Sequence, residues 1–135
     1  MPCPYFEPLT IAERTEQGAR LPLIREYDGR CRASANETAA PEALRFRCCN
    51  QGYSRGVCDR FPANERRSCL RYHLNERTAL ALRVLCVEEE NYAPARWYEV
   101  NYLIAGDRVE PDVEDLCVRA QILAFCRSYL EQFRA

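Results

Sequence analysis

Lysine is absent from this 135-residue chain, and all 19 basic residues are arginine. That excludes a lysine Schiff base, a lysine general base and the phosphate-gripping lysine of a Walker-type loop. Histidine is nearly absent as well: a single His73 cannot build a metal site of two or three imidazoles. No stretch approaches the ~20 consecutive apolar residues of a membrane span, and the apolar run at 79–87 is broken by Arg83. The opening MPCPYFEPLTIAERT has neither the basic nor the apolar region of a secretory leader, so a cytoplasmic location is expected. Twenty acidic residues against 19 basic ones leave a formal charge of −1, with no field to draw the protein onto nucleic acid or anionic lipid.

What is present is a globular composition, 47% hydrophobic and 29% charged, at a length that suits one compact domain over residues 1–135. It also contains nine cysteines. In a reducing compartment clustered thiols are metal ligands or reactive groups rather than disulfides, and the odd count points the same way.

The texture changes along the chain. Residues 1–62 are punctuated by proline, glycine and charge and carry the early cysteines, whereas residues 63–135 show regular periodicity. A short helix is expected at 41–50, with Pro41 in its first turn, Glu42 at its positive end and Gly52 as a left-handed cap. Leu21-Pro22-Leu23-Ile24 is a short apolar segment, Tyr27-Asp28-Gly29 reads as a turn before Cys31, and 52–62 reads as an irregular loop. Strands are expected at 69–74, at 78–88 with Leu80, Leu82, Val84 and Cys86 on one face, and at 96–104 with Tyr98, Val100, Tyr102 and Ile104 on one side. The loop between the last two falls at 91–94, and a closing helix runs from Pro111 to Phe133. The expected class is therefore α+β: an irregular cysteine-bearing N-terminal half with a short helix, then a small antiparallel sheet and a C-terminal packing helix.

The cysteines fall into two groups. Cys86 is in register with Leu82 and Val84 on a strand. Cys117 and Cys126 lie nine residues apart in the closing helix, and at roughly 100° per residue they point to opposite sides. These three read as small hydrophobes of the core. Cys3, Cys31, Cys48, Cys49 and Cys58 sit in or beside proline- and glycine-punctuated segments, where loops can converge sulfurs on one point as a single regular helix cannot. Four thiolates suit zinc or an iron–sulfur cluster. There is no C-x-x-C pair; 27, 17 and 8 residues separate Cys3, Cys31, Cys49 and Cys58 in turn. Gly52 and Gly56 allow backbone N–H groups close to cluster sulfides. Tyr5, Phe6, Tyr53 and Phe61 lie beside the candidate ligands and can exclude water.

CPYFEP at 3–8, LPLIREYDGRCRA at 21–33 and CNQGYSRGVCDRFP at 49–62 resemble a group of small bacterial cysteine-rich proteins. That group pairs a CPYFxP start with a C-x-A segment and a CNxGYxxGxCxRFP segment. The resemblance covers about the first 62 residues well and the ENYAP segment at 90–94 and the closing helix more loosely. It carries no activity with it. It implies that Cys3, Cys31, Cys49 and Cys58 belong together and leaves Cys48 outside the set. The lack of lysine fits a GC-rich bacterial genome.

Other constellations are weaker. Cys69 and His73 have no orienting third group or oxyanion element, so His73 reads as a structural or surface residue. Glu88-Glu89-Glu90 reads as a solvated run at a strand end. Eight arginines between Arg45 and Arg77, against Asp59, Glu65 and Glu76, offer a surface for a protein partner. The leading expectation is a small 4Fe-4S protein holding its cluster through Cys3, Cys31, Cys49 and Cys58, and serving electron transfer or a redox or structural role for a partner. Iron is favoured over zinc because the ligands are all cysteine, far apart and flanked by aromatics, and because Cys3-Pro4 repeats the Cys-Pro step of bacterial cluster ligands. The alternatives are a structural zinc-binding interaction module on the same residues and a metal-free cytoplasmic adaptor with reduced thiols. No arrangement of general base and nucleophile argues for an enzyme.

Overall fold

The computed structural model describes residues 2–12, 21–33, 38–40, 44–52, 57–91 and 93–133. The class is α+β. A first antiparallel sheet comprises β1 (Phe6–Ile11), β2 (Tyr27–Cys31) and β3 (Thr38–Ala39), in that order. A second is a meander of β4 (Arg67–Arg77), β5 (Ala81–Glu90), β6 (Ala93–Leu103) and β7 (Arg108–Glu110). One long helix, α1 (Leu116–Gln132), closes the chain. Among the described residues, no helix is long and apolar enough to cross a membrane.

The N-terminal half is thus more regular than its composition implies. Tyr27-Asp28-Gly29, expected as a turn, opens β2. Phe6 pairs with Cys31, Pro8 with Gly29 and Ile11 with Tyr27, with a register shift between Pro8 and Thr10. Two prolines and scattered charges hide this strand from a pattern search, yet Pro8 is tolerable on an edge strand beside a bulge. Gly29 is required by contact: a Cβ there would stand 2.0 Å from the Glu7 carbonyl oxygen, so only glycine lets the two backbones approach.

The second sheet follows its period-2 pattern. Leu70 and Tyr72 of β4, Leu82, Val84 and Cys86 of β5, and Val100 and Tyr102 of β6 point to one buried face. Leu80, expected in that set, is 77% exposed because it lies in the β4–β5 turn, where the Thr78 hydroxyl accepts the N–H groups of Leu80 and Ala81. The expected loop at 91–94 is a tight reversal instead. Asn91 takes a left-handed φ of 51°, and Ala93 and Pro94 already belong to β6.

The closing helix begins at Leu116, five residues later than expected from Pro111. Asp115 is its cap, its carboxylate accepting the N–H groups of Cys117 at 3.0 Å and Val118 at 3.1 Å. Acids ahead of a helix are ambiguous in sequence, because any of Asp112, Glu114 and Asp115 can cap. The expected helix at 41–50 is a six-residue π-helix, Arg45–Asn50; Pro41 and Glu42 lie outside the described residues. Gly52 does end it, with φ of 84° and its N–H on the Cys48 carbonyl at 2.9 Å.

One core joins both sheets and the helix. Phe6, Leu23 and Tyr27 meet Leu70, Tyr72, Leu82, Val84, Val118, Ile122 and Phe125. Each such side chain contributes on the order of 1.5–3 kcal/mol by leaving water. Within this apolar mass lies one amide. Gln121, fully buried on α1, donates from Nε2 to the carbonyls of Cys3 and Phe6, both at 2.8 Å, and accepts the Tyr72 hydroxyl at 2.7 Å. It ties the helix to the cysteine-bearing N-terminal segment and to β4 together. Leucine there keeps the volume but abandons three polar groups, so Gln121→Leu is expected to cost at least ~2 kcal/mol. Chemical denaturation measures this, and an unchanged midpoint contradicts it.

Candidate metal centre

Four separate pieces of chain bring cysteines to one place. Cys3 sits in the turn between Pro2 and Pro4, Cys31 ends β2, Cys48 and Cys49 belong to the π-helix, and Cys58 follows in the next loop. All five line one small cavity of about 20 Å³, together with Tyr5, Phe6, Ala33, Arg60 and Phe61. The four cysteines expected from the sequence therefore converge, and Cys48, left out by the resemblance, joins them. Of the aromatics expected around them, Tyr5, Phe6 and Phe61 are in the wall; Tyr53 and Gly56 lie outside the described residues.

Backbone hydrogen bonds hold these segments in register. The Cys3 N–H donates to the Cys49 carbonyl at 3.0 Å, joining two cysteine segments directly. The Arg32 N–H donates to the Tyr5 carbonyl at 2.9 Å, fixing Cys31 beside the first turn. The π-helix is pinned by Asn50, fully buried, whose side chain accepts the Tyr27 N–H at 2.8 Å and donates to the Tyr27 carbonyl at 3.0 Å and the Arg45 carbonyl at 2.8 Å. Arg45 reinforces it through an ion pair with the buried Glu26 at 2.9 Å. Asn50 and Gln121 are the positioning residues that sequence reasoning missed. Polar residues look alike in a sequence whether they face water or replace it, so no local pattern signals them.

Beside the cavity, Tyr5 stacks edge-on to Phe61 and donates its hydroxyl to Glu65 at 2.6 Å. Burial, then this bond to a carboxylate, pushes the Tyr5 hydroxyl up to about 12. Glu65 itself is held down at about 2: burial opposes its charge, but hydrogen bonds from Arg67 and Tyr5 outweigh it. The Cys49 thiol is pushed well above the usual range, first by burial and then by the adjoining Cys3, Cys31, Cys58 and Cys48 sulfurs.

The remaining cysteines serve the core. Cys86 and Cys126 are buried together, and Cys117 is buried on another side of α1, towards Glu7, Arg32 and Cys3. Burial raises each of these thiols to about 12. None of the nine cysteines forms a disulfide. Cys69 and His73 do not form a pair: Cys69 is buried with its thiol on Glu89 at 3.5 Å, while His73 faces solvent. The glutamate run is not a uniformly solvated one. Because β5 continues through Glu90 with a register shift after Glu88, Glu89 is buried against Arg71 at 3.3 Å and Glu88 lies between Arg67 and Arg96. Much of the arginine stretch is likewise answered within the molecule: Arg45 by Glu26, Arg67 by Glu65 and Asp115, and Arg77 by the Phe133 carbonyl.

Among the described residues, no three His, Cys, Asp or Glu side chains are grouped at the spacing that holds a metal ion. No protein-family model, curated protein or solved structure matches the chain.

The Glu65 geometry has a pH signature. Its folded-state pKa lies below the unfolded value of 4.5, so its contribution is complete above that pH and is lost as pH falls towards about 2. The stability difference between the native chain and Glu65→Gln, measured by denaturation across this range, is expected to shrink steadily on acidification. A difference independent of pH contradicts the assignment.

Proposed function

We propose that this protein is a small iron–sulfur protein that holds a 4Fe-4S cluster through the thiolates of Cys3, Cys31, Cys49 and Cys58. The observation that carries the reading is the convergence of these cysteines, from four stretches of chain, on one cavity walled by sulfur and aromatic rings. The donor set fits the group: all sulfur, no imidazole, and a packed surround that limits water. Zinc fits less well. A single ion with Zn–S bonds near 2.3 Å needs its four sulfurs ~4 Å apart, a closer convergence than a cluster requires of its ligands. A cluster interposes its own iron and sulfide and accepts a wider set.

The cavity is the size of a water molecule, so holding a cluster would require the ligands to stand further apart. Cys58 is the member best placed to do so, since it is carried on a loop while Cys31 is in a strand and Cys3 and Cys49 are tied to each other. Held by these residues, a cluster would supply one-electron redox chemistry, exchanging single electrons with a reduced or oxidised redox protein. The chain's own residues set its surroundings: Tyr5, Phe6 and Phe61 exclude water, and Arg60 places positive charge beside the thiolates. Val57, Asp59 and Arg60 are exposed at that rim, within the arginine-bearing stretch, and this is where a partner protein would approach.

Anaerobic reconstitution with iron and sulfide tests the reading. Broad visible absorbance and about four iron atoms per chain are expected. Serine at Cys3, Cys31 or Cys58 is expected to remove most of the iron, and alanine at Cys126 to leave it unchanged. Colourless protein containing zinc overturns the reading in favour of the interaction module, and protein free of both metals in favour of the adaptor.

A further inference from the structure

The cavity has five thiols where a four-iron cluster needs four. Cys48 and Cys49 are neighbours in sequence, and on an α-helix their side chains would diverge by ~100°. The π-helix has more residues in each turn, so successive side chains diverge less. Here the Gln51 N–H reaches back five residues to the Phe46 carbonyl at 3.2 Å, while the Gly52 N–H reaches back four to the Cys48 carbonyl at 2.9 Å. The wide turn brings both buried thiols to the same wall. Their peptide groups are pinned separately, the Cys48 carbonyl by Gly52 and the Cys49 carbonyl by Cys3. An exchange of one sulfur for the other therefore requires side-chain rotation and no rebuilding of the backbone.

We propose that Cys48 is a reserve ligand, binding the iron otherwise held by Cys49 when the Cys49 thiolate leaves. The proposal rests on the iron–sulfur reading and extends it. The step balances without electron transfer: the Cys48 thiol loses its proton as its sulfur–iron bond forms, and the departing Cys49 thiolate takes one up as its bond breaks. A site of this kind survives the loss of one ligand, where a strictly four-cysteine site does not.

Three reconstituted proteins test it: the native chain, Cys49→Ala, and Cys48→Ala/Cys49→Ala. Iron per chain is expected to remain at half or more of the native value in Cys49→Ala, with a shifted visible or paramagnetic spectrum, and to fall below a tenth in the double variant. Equal loss in the single and double variants, in a native chain that does hold iron, overturns the reserve role and leaves the iron–sulfur reading standing. A native chain without iron overturns both. Should Cys49→Ala fail to fold, as judged by circular dichroism, iron release to a chelator from Cys48→Ala and from the native chain decides the matter. Release several-fold faster from Cys48→Ala is expected, and equal rates overturn the proposal.

Discussion

The structure depends on a buried amide. Gln121 reaches from the middle of the C-terminal helix to the carbonyls of Cys3 and Phe6 and receives the Tyr72 hydroxyl. It joins the backbone bonds of Pro2, Cys3 and Tyr5 to Leu70, Cys49 and Arg32 in giving the first turn of the chain a direction that apolar burial alone would not. An apolar contact tolerates sliding, whereas two carbonyls converging on one amide nitrogen set both distance and angle. The Cys3 N–H on the Cys49 carbonyl then passes that position on to the π-helix. Asn50 does the same work between the π-helix and β2, so the segments of Cys3, Cys31 and Cys48–Cys49 are referred to one another by polar groups sheltered from water. In such surroundings a satisfied hydrogen bond is strong and a broken one costly.

Crowding the thiols has an electrostatic consequence. Protonated, they are small hydrophobes and fill the cavity quietly. The Cys49 thiol is raised first by its burial and then by the neighbouring sulfurs. A metal centre of the kind proposed would reverse that balance by turning mutual repulsion into shared attraction. The ion pairs nearby are arranged differently: Glu65 and Arg67 neutralise each other beside Tyr5, while Arg60, at the cavity's edge, donates to the Ala39 carbonyl.

The second sheet and the closing helix were legible because their signals are local. Alternation of Leu82, Val84 and Cys86, and of Val100 and Tyr102, reports a half-buried strand whatever lies opposite. The nine-residue spacing of Cys117 and Cys126 likewise reports two sides of one helix. The first sheet was not legible. β1 is short, begins beside two prolines and carries a bulge, and its partner β2 opens on what reads as a turn. Pairing between them is nonlocal, and the need for glycine at position 29 exists only because Glu7 lies against it. Glu89 misled for the same reason: its burial follows from a register shift and from Arg71 on the neighbouring strand.

The amino-acid order alone established the α+β class and set Cys3, Cys31, Cys48, Cys49 and Cys58 apart from the core cysteines Cys86, Cys117 and Cys126, because periodicity and proline–glycine punctuation act over a few residues; the narrower set of four came from the resemblance. It could not place Cys48, Asn50 or Gln121. Whether Cys48 faces the cavity depends on the pitch of one helical turn, and that pitch follows from contacts of Asn50 with Tyr27, 23 residues away, and of Arg45 with Glu26, 19 residues away. Whether an amide is solvated or serves as a clamp depends on which carbonyls folding brings to it, and those of Cys3 and Phe6 come from the opposite end of the chain.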